Sequence, residues 1–127
     1  TFTPQEISKV IDELILLKKQ GYRLANTLTY LKDIKHAYMG EERLIPCYGG
    51  KYVINVYWDG KVTPCYKKQT PICQIDELTK AHLDKAKECF ACLNQCFVEL
   101  SFVGDYTVRR RYFTAIKENL LILRSFT

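Results

Sequence analysis

The stretch IPCYGGKYVINVYWDGKVTPCY, residues 45–66, decides how this chain folds. Tyr52, Ile54, Val56 and Trp58 alternate with Val53, Asn55 and Tyr57, the period of a β-strand. Asp59-Gly60 then marks a hairpin turn, because such turns need positive φ angles that glycine adopts without steric cost. Lys61–Thr63 is expected to return as a second strand, and Pro64, which has no N–H to give a ladder, should end it. The hairpin carries Cys47 just before its first strand and Cys65 just after its second. Folding it brings two thiols that are distant in sequence towards each other.

Outward from the hairpin, Asp76 is a good cap for a helix running to about Lys87. That helix delivers the chain to CFACLNQC, residues 89–96, with Cys89, Cys92 and Cys96 crowded into one short segment. Residues 97–103, FVELSFV, are expected to form a short strand, and Tyr106 onwards a closing helix. Towards the amino terminus, Thr3, Pro4 and Glu6 compose a capped helix start, Ile7, Val10, Ile11, Leu14 and Leu17 recur at helical spacing, and Gly21 supplies the stop. A second helix starts near Asn26 or Thr27, with Leu28, Leu31, Ile34 and Tyr38 on one face and Gly40 at its end. The expected fold class is α+β: a small cysteine-ligated hairpin domain flanked by amino- and carboxyl-terminal helices. Its divisions are a helical segment over 1–44, a cysteine-rich domain over 45–103 and a helix over 104–127.

The chain has 127 residues, enough for one domain with a modest core, and 47% hydrophobic with 26% charged residues is a globular composition. No apolar run is long enough to span a membrane, and no signal peptide is visible. The first residue is Thr1, which fits a processed terminus or a piece of a longer protein. The net charge of +5 favours acidic partners, although thiolates would offset part of it. The one dense basic run, Arg109–Arg111, reads as a solvated helix start.

Six cysteines without secretory signals, two of them in a Cys-x-x-Cys turn, favour a metal or cluster in a reducing, cytoplasmic compartment over disulfides. Thiolates bind soft or borderline metals, and two pairs from distant segments complete a four-sulfur site. Cys89 and Cys92 form one pair and Cys47 and Cys65 the other; Cys96 could replace Cys89 or Cys92. Cys73 has no partner at ligand spacing and reads as a buried apolar residue. Spacing alone leaves structural zinc and an iron–sulfur cluster equal.

The hairpin segment, C-x12-G-x4-C from Cys47 through Gly60 to Cys65, resembles the opening motif of the SPASM and twitch domains at the carboxyl end of many radical S-adenosylmethionine enzymes. DGKVTPC, Asp59–Cys65, is similar to that family's hairpin, PICQIDELTKAHLDKAKEC to its following loop and helix, and Cys89 with Cys92 to the Cys-x-x-Cys group that comes next. The first forty residues resemble the last helices of the family's catalytic core. The resemblance implies that Cys47, Cys65 and two of Cys89, Cys92 and Cys96 ligate one auxiliary 4Fe–4S cluster that helps place substrate or carry an electron. C-x2-C-x3-C with no later cysteine is nearer the one-cluster twitch form than the two-cluster SPASM pattern, and Cys73 lies where the family commonly has glycine. The core motif C-x3-C-x2-C, which binds the cluster that engages S-adenosylmethionine, is not in this sequence. The implied partner is therefore a separate radical S-adenosylmethionine core, without which this chain should not turn over. The implied substrate is a peptide or a small molecule. Tyr48, Tyr66, Phe90 and Phe97 neighbour the cysteines and could keep such a site dry.

The alternative is a structural zinc module that binds another macromolecule, supported by the basic balance and nine tyrosines. No second Cys-x-x-Cys or His pair gives a standard finger spacing, and His36 and His82 both fall on expected helices away from the cysteines. Nucleic acid is accordingly disfavoured as a partner. A hydrolase or transferase is disfavoured too, since neither a nucleophile–base signature nor a phosphate loop occurs.

Overall fold

A computed structural model describes residues 1–104 together with Phe113, Lys117 and Leu120. The expected closing helix and the arginine run at 109–111 lie outside the described residues, apart from those three positions, which are helical. The chain divides into two compact units; the first contains Thr1–Ile45 and the second is Pro46–Asp105. Helices and a small antiparallel sheet make the architecture α+β. Among the described residues, no helix is long and apolar enough to cross a membrane.

In the first unit, α1 (Pro4–Lys19) and α2 (Leu28–Tyr38) pack on each other. Thr3 and Glu6 form a reciprocal capping box at the start of α1, and Thr27 accepts from the Tyr30 N–H at the start of α2. Ile11, Tyr30, Leu31 and Ile45 are buried, whereas Tyr38, expected on the inner face, is 44% exposed. The unit's most constrained polar group is the fully buried Asp33 carboxylate. It accepts from Arg43 Nε at 3.0 Å and Nη2 at 2.6 Å, and from the N–H groups of Leu44 at 2.6 Å and Ile45 at 3.1 Å. Four donors satisfy a charge that burial would otherwise penalise, and they pin the chain leaving α2.

The second unit is built on a three-stranded antiparallel sheet in the order β1 (Asn55–Val56), β2 (Lys61–Thr63), β3 (Cys73–Gln74). Val62, at the centre of β2, pairs with Val56 on one side and Cys73 on the other and is wholly buried. The long first strand expected over residues 52–58 shrinks to two residues. Before it, the backbone coils through Gly50 at φ +96°, with the Lys51 and Tyr52 N–H groups both donating to the Tyr48 carbonyl. After it, the turn spans Trp58, Asp59 and Gly60: Tyr57 N–H bonds Lys61 O, Gly60 N–H bonds Tyr57 O, and only Gly60 has positive φ, +82°. This is a three-residue loop closed by a left-handed glycine, and it leaves Trp58 97% exposed at the tip.

Two expected elements differ in kind. The helix over 76–87 is broken into a 3-10 turn, Ile75–Glu77, and a short α3, Lys80–Asp84. Leu78 is extended, and Thr79 restarts the helix by bonding His82, so a β-branched hydroxyl residue wins over helix continuation. Residues 97–103 are helical, within α4 (Gln95–Gly104), where a strand was expected. Phe97, Val98, Ser101 and Phe102 are its buried positions, a helical period that the apolar-rich segment conceals, and Asn94 Oδ1 accepts from Phe97 N–H at its start. β3 itself was not anticipated.

Removing the buried carboxylate with Asp33→Ala breaks the ion pair with Arg43, takes the acceptor from two N–H groups and should cost about 3–5 kcal/mol in urea unfolding. Combining it with Arg43→Ala should cost less than the sum of the two single changes, since both remove the same ion pair.

Candidate metal centre

Cys47 and Cys89 face each other across an antiparallel β-bridge, each donating its N–H to the other's carbonyl at 2.9 Å. Residues directly opposite in such a bridge project their side chains to the same side. Cys47, Cys65, Cys89 and Cys92 all line one small cavity of about 20 Å³, room for roughly one water. They arrive from three segments: the entry to the hairpin, its exit, and the loop before α4. None of the six cysteines is in a disulfide.

Three of these sulfurs receive donors. Lys68 N–H lies 3.3 Å from Cys65 Sγ, Ala91 N–H 3.5 Å from Cys89 Sγ, and the Ser101 hydroxyl 4.0 Å from Cys47 Sγ. Such donors would tune any metal the sulfurs hold. Ser101 is fully buried and also accepts the Tyr48 N–H at 2.7 Å, so one hydroxyl ties α4 to the segment that carries Cys47.

The Cys47 thiol is pushed up from its ordinary pKa, first by burial. Hydrogen bonds from Gly49 and Ser101 oppose the shift, and the Cys92 and Cys89 sulfurs add to it. A bound metal would reverse that balance, because a coordinating thiol is deprotonated. Among the described residues, no three His, Cys, Asp or Glu side chains stand close enough together to hold a metal ion as they are. Metal–sulfur bonds of about 2.3 Å would have to draw the cysteines inward. The donor set suits that: four soft ligands, an apolar wall from Phe97, and Tyr66 packed on Phe97 at 6.2 Å between ring centres.

The remaining expected site residues are placed elsewhere. Cys96 is exposed in the first turn of α4 and does not line the cavity. Cys73, half-buried in β3, also lies outside it, and burial together with the nearby Glu77 and Asp76 carboxylates pushes its thiol pKa up. Of the four aromatic residues considered as a shell, Phe97 and Tyr66 line the cavity; Phe90 is 47% exposed, and Tyr48 packs edge-on against Tyr52. His36 pairs with Glu41, and His82 caps α3.

Gly49, Lys68, Asn94 and Ser101 were not singled out from the sequence. A Cβ on Gly49 would sit 2.9 Å from the Pro64 carbonyl oxygen and 3.5 Å from Cys65 Cβ, so glycine is what lets the Cys47 segment pass so close to Cys65. Asn94, two residues after Cys92 and just before an apolar run, carried a readable cap signal. Compared with known protein families, curated proteins and solved structures, the chain matches none.

Ser101→Ala leaves the Tyr48 N–H without its acceptor and should cost about 1–3 kcal/mol in thermal or urea unfolding. Gly49→Ala, which must push Pro64 and Cys65 aside, should cost about 1–3 kcal/mol and separate the two hairpin cysteines, read as slower metal uptake.

Proposed function

We propose that Cys47, Cys65, Cys89 and Cys92 hold a single metal centre, and that the chain is the carboxyl-terminal auxiliary 4Fe–4S-binding part of a radical S-adenosylmethionine enzyme. The observation that carries this is the meeting of four cysteines from three segments on one cavity, with hydrogen-bond donors on three of the sulfurs. The order of the motifs, C-x12-G-x4-C followed by C-x2-C, supports the family assignment. A bound cluster would supply an electron carrier or an anchoring iron beside the substrate. This chain's own part is to donate hydrogen bonds to the sulfurs, wall the site with Phe97, and fix the spacing through the Cys47–Cys89 bridge. The C-x3-C-x2-C core is supplied separately, and radical generation belongs to it.

A single structural zinc is the second reading. It is favoured by the size of the cavity, which suits one ion without wide movement of the walls, whereas a cubane needs the loops at 65–70 and 89–94 to open.

Protein prepared without oxygen should be brown, with about four irons and four sulfides per chain. Colourless protein with about one zinc that takes up no cluster on anaerobic reconstitution selects the structural reading instead. Cys65→Ala and Cys92→Ala should abolish metal retention and lower the melting temperature sharply, because metal binding is linked to folding, while Cys73→Ala and Cys96→Ala retain the centre. Equal losses across all four variants would overturn the ligand assignment.

A further inference from the structure

A second and larger cavity, of about 400 Å³, adjoins the thiol pocket. Lys68, Lys85, Lys87 and His82 supply its polar lining, and Pro64 and Ile72 its apolar surface. Among the described residues, no Asp or Glu lines it. Lys68, Lys85 and Lys87 are exposed and, unlike Lys35, Arg43 and Lys61, have no carboxylate partner among the described residues to neutralise them. Asp84 and Glu88 flank them in sequence, yet neither reaches the cavity, and Glu88 lies within reach of the Tyr48 hydroxyl at 3.4 Å. His82 Nδ1 accepts the Thr79 N–H at 3.2 Å, which puts the proton of the neutral ring on Nε2 and makes that atom a donor.

We infer that this cavity binds a small anionic ligand, a molecule bearing phosphate or carboxylate groups, held by Lys68, Lys85 and Lys87 with His82 Nε2 as a further donor. Three like charges around one concavity repel each other and concentrate a positive potential that an anion relieves. Lysine serves phosphate and carboxylate alike as a point charge. The volume is that of a small-molecule site, and the apolar surface gives the uncharged part of such a ligand something to lie against. Gly49 and Lys68 line both cavities, and the Lys68 backbone N–H is the donor to Cys65 Sγ, so the ligand would sit against the wall of the thiol pocket. The inference does not rest on which metal, if any, the cysteines hold.

The test is calorimetric titration of the full chain with pyrophosphate and, separately, with citrate at low salt, together with amide NMR of the same samples. Saturable one-to-one binding of at least one probe is expected, with shifts concentrated at Gly49, Lys68, His82 and residues 85–87. Lys85→Gln combined with Lys87→Gln should weaken binding about tenfold or more, against less than about twofold for Lys9→Gln combined with Lys32→Gln, which removes equal charge elsewhere. Should the first double variant fail to fold by circular dichroism, Lys68→Gln replaces it. Binding of pyrophosphate alone identifies a phosphate ligand, of citrate alone a carboxylate ligand, and of both a site that reads charge. No saturation with either probe, equal weakening in both double variants, or shifts scattered over the surface lysines would overturn the inference.

Discussion

The paired backbone hydrogen bonds between Cys47 and Cys89 are the constraint on which the cysteine-rich unit depends. They are a two-residue piece of antiparallel sheet, formed between the entry to the hairpin and the end of the long excursion that follows it. Because opposed residues in such a bridge share a face, the contact fixes the direction of two sulfurs as well as the path of two segments. The Ser101 hydroxyl reinforces it from α4, one residue further along, by accepting the Tyr48 N–H across 53 residues of sequence. Together with the packing of Phe97 on Tyr66, these bonds fix the segment from Cys89 into α4 against the hairpin.

From that contact the chemistry of the site follows by steps. Gly49 lets the backbone after Cys47 lie against Pro64 and Cys65, which brings in the third thiol, and Cys92 enters on the same loop as Cys89. Burial, and to a smaller extent the Cys92 and Cys89 sulfurs, push the Cys47 thiol pKa up. Backbone and hydroxyl donors stand ready to stabilise thiolates once a cation offsets the repulsion. Under the proposed metal centre, cavity size and motif order speak for different metals: the small volume for one ion, the order of the cysteine motifs for a cluster. The basic cavity next door shares Gly49 and Lys68 with it, so the two cavities have a common wall.

Local signals were legible wherever a short segment sets its own conformation. Thr3 with Glu6, Thr27 before Leu28, and Gly60 in its turn all act within three or four residues, and each behaves as its chemistry dictates. Signals failed where two local preferences competed. Residues 97–103 carry enough apolar side chains to satisfy either a period of two or one of 3.6, and burial of Phe97, Val98, Ser101 and Phe102 on one face settles it as helix. Residues 76–87 held a helical pattern, but Thr79 offered the backbone a better local partner and restarted the turn.

The sequence by itself determined the α+β class, the capped helices, the hairpin about Gly60 and the set of thiols available for chemistry. Each of these is written in residue types and short spacings. Only the tertiary structure decided that Cys47 would oppose Cys89, that Cys96 and Cys73 would stand away from the cavity, and that three lysines would gather beside it. Those outcomes depend on where separate segments cross, and a crossing is set by the summed packing of groups such as Val62, Gly49 and Ser101, which no single stretch of chain contains.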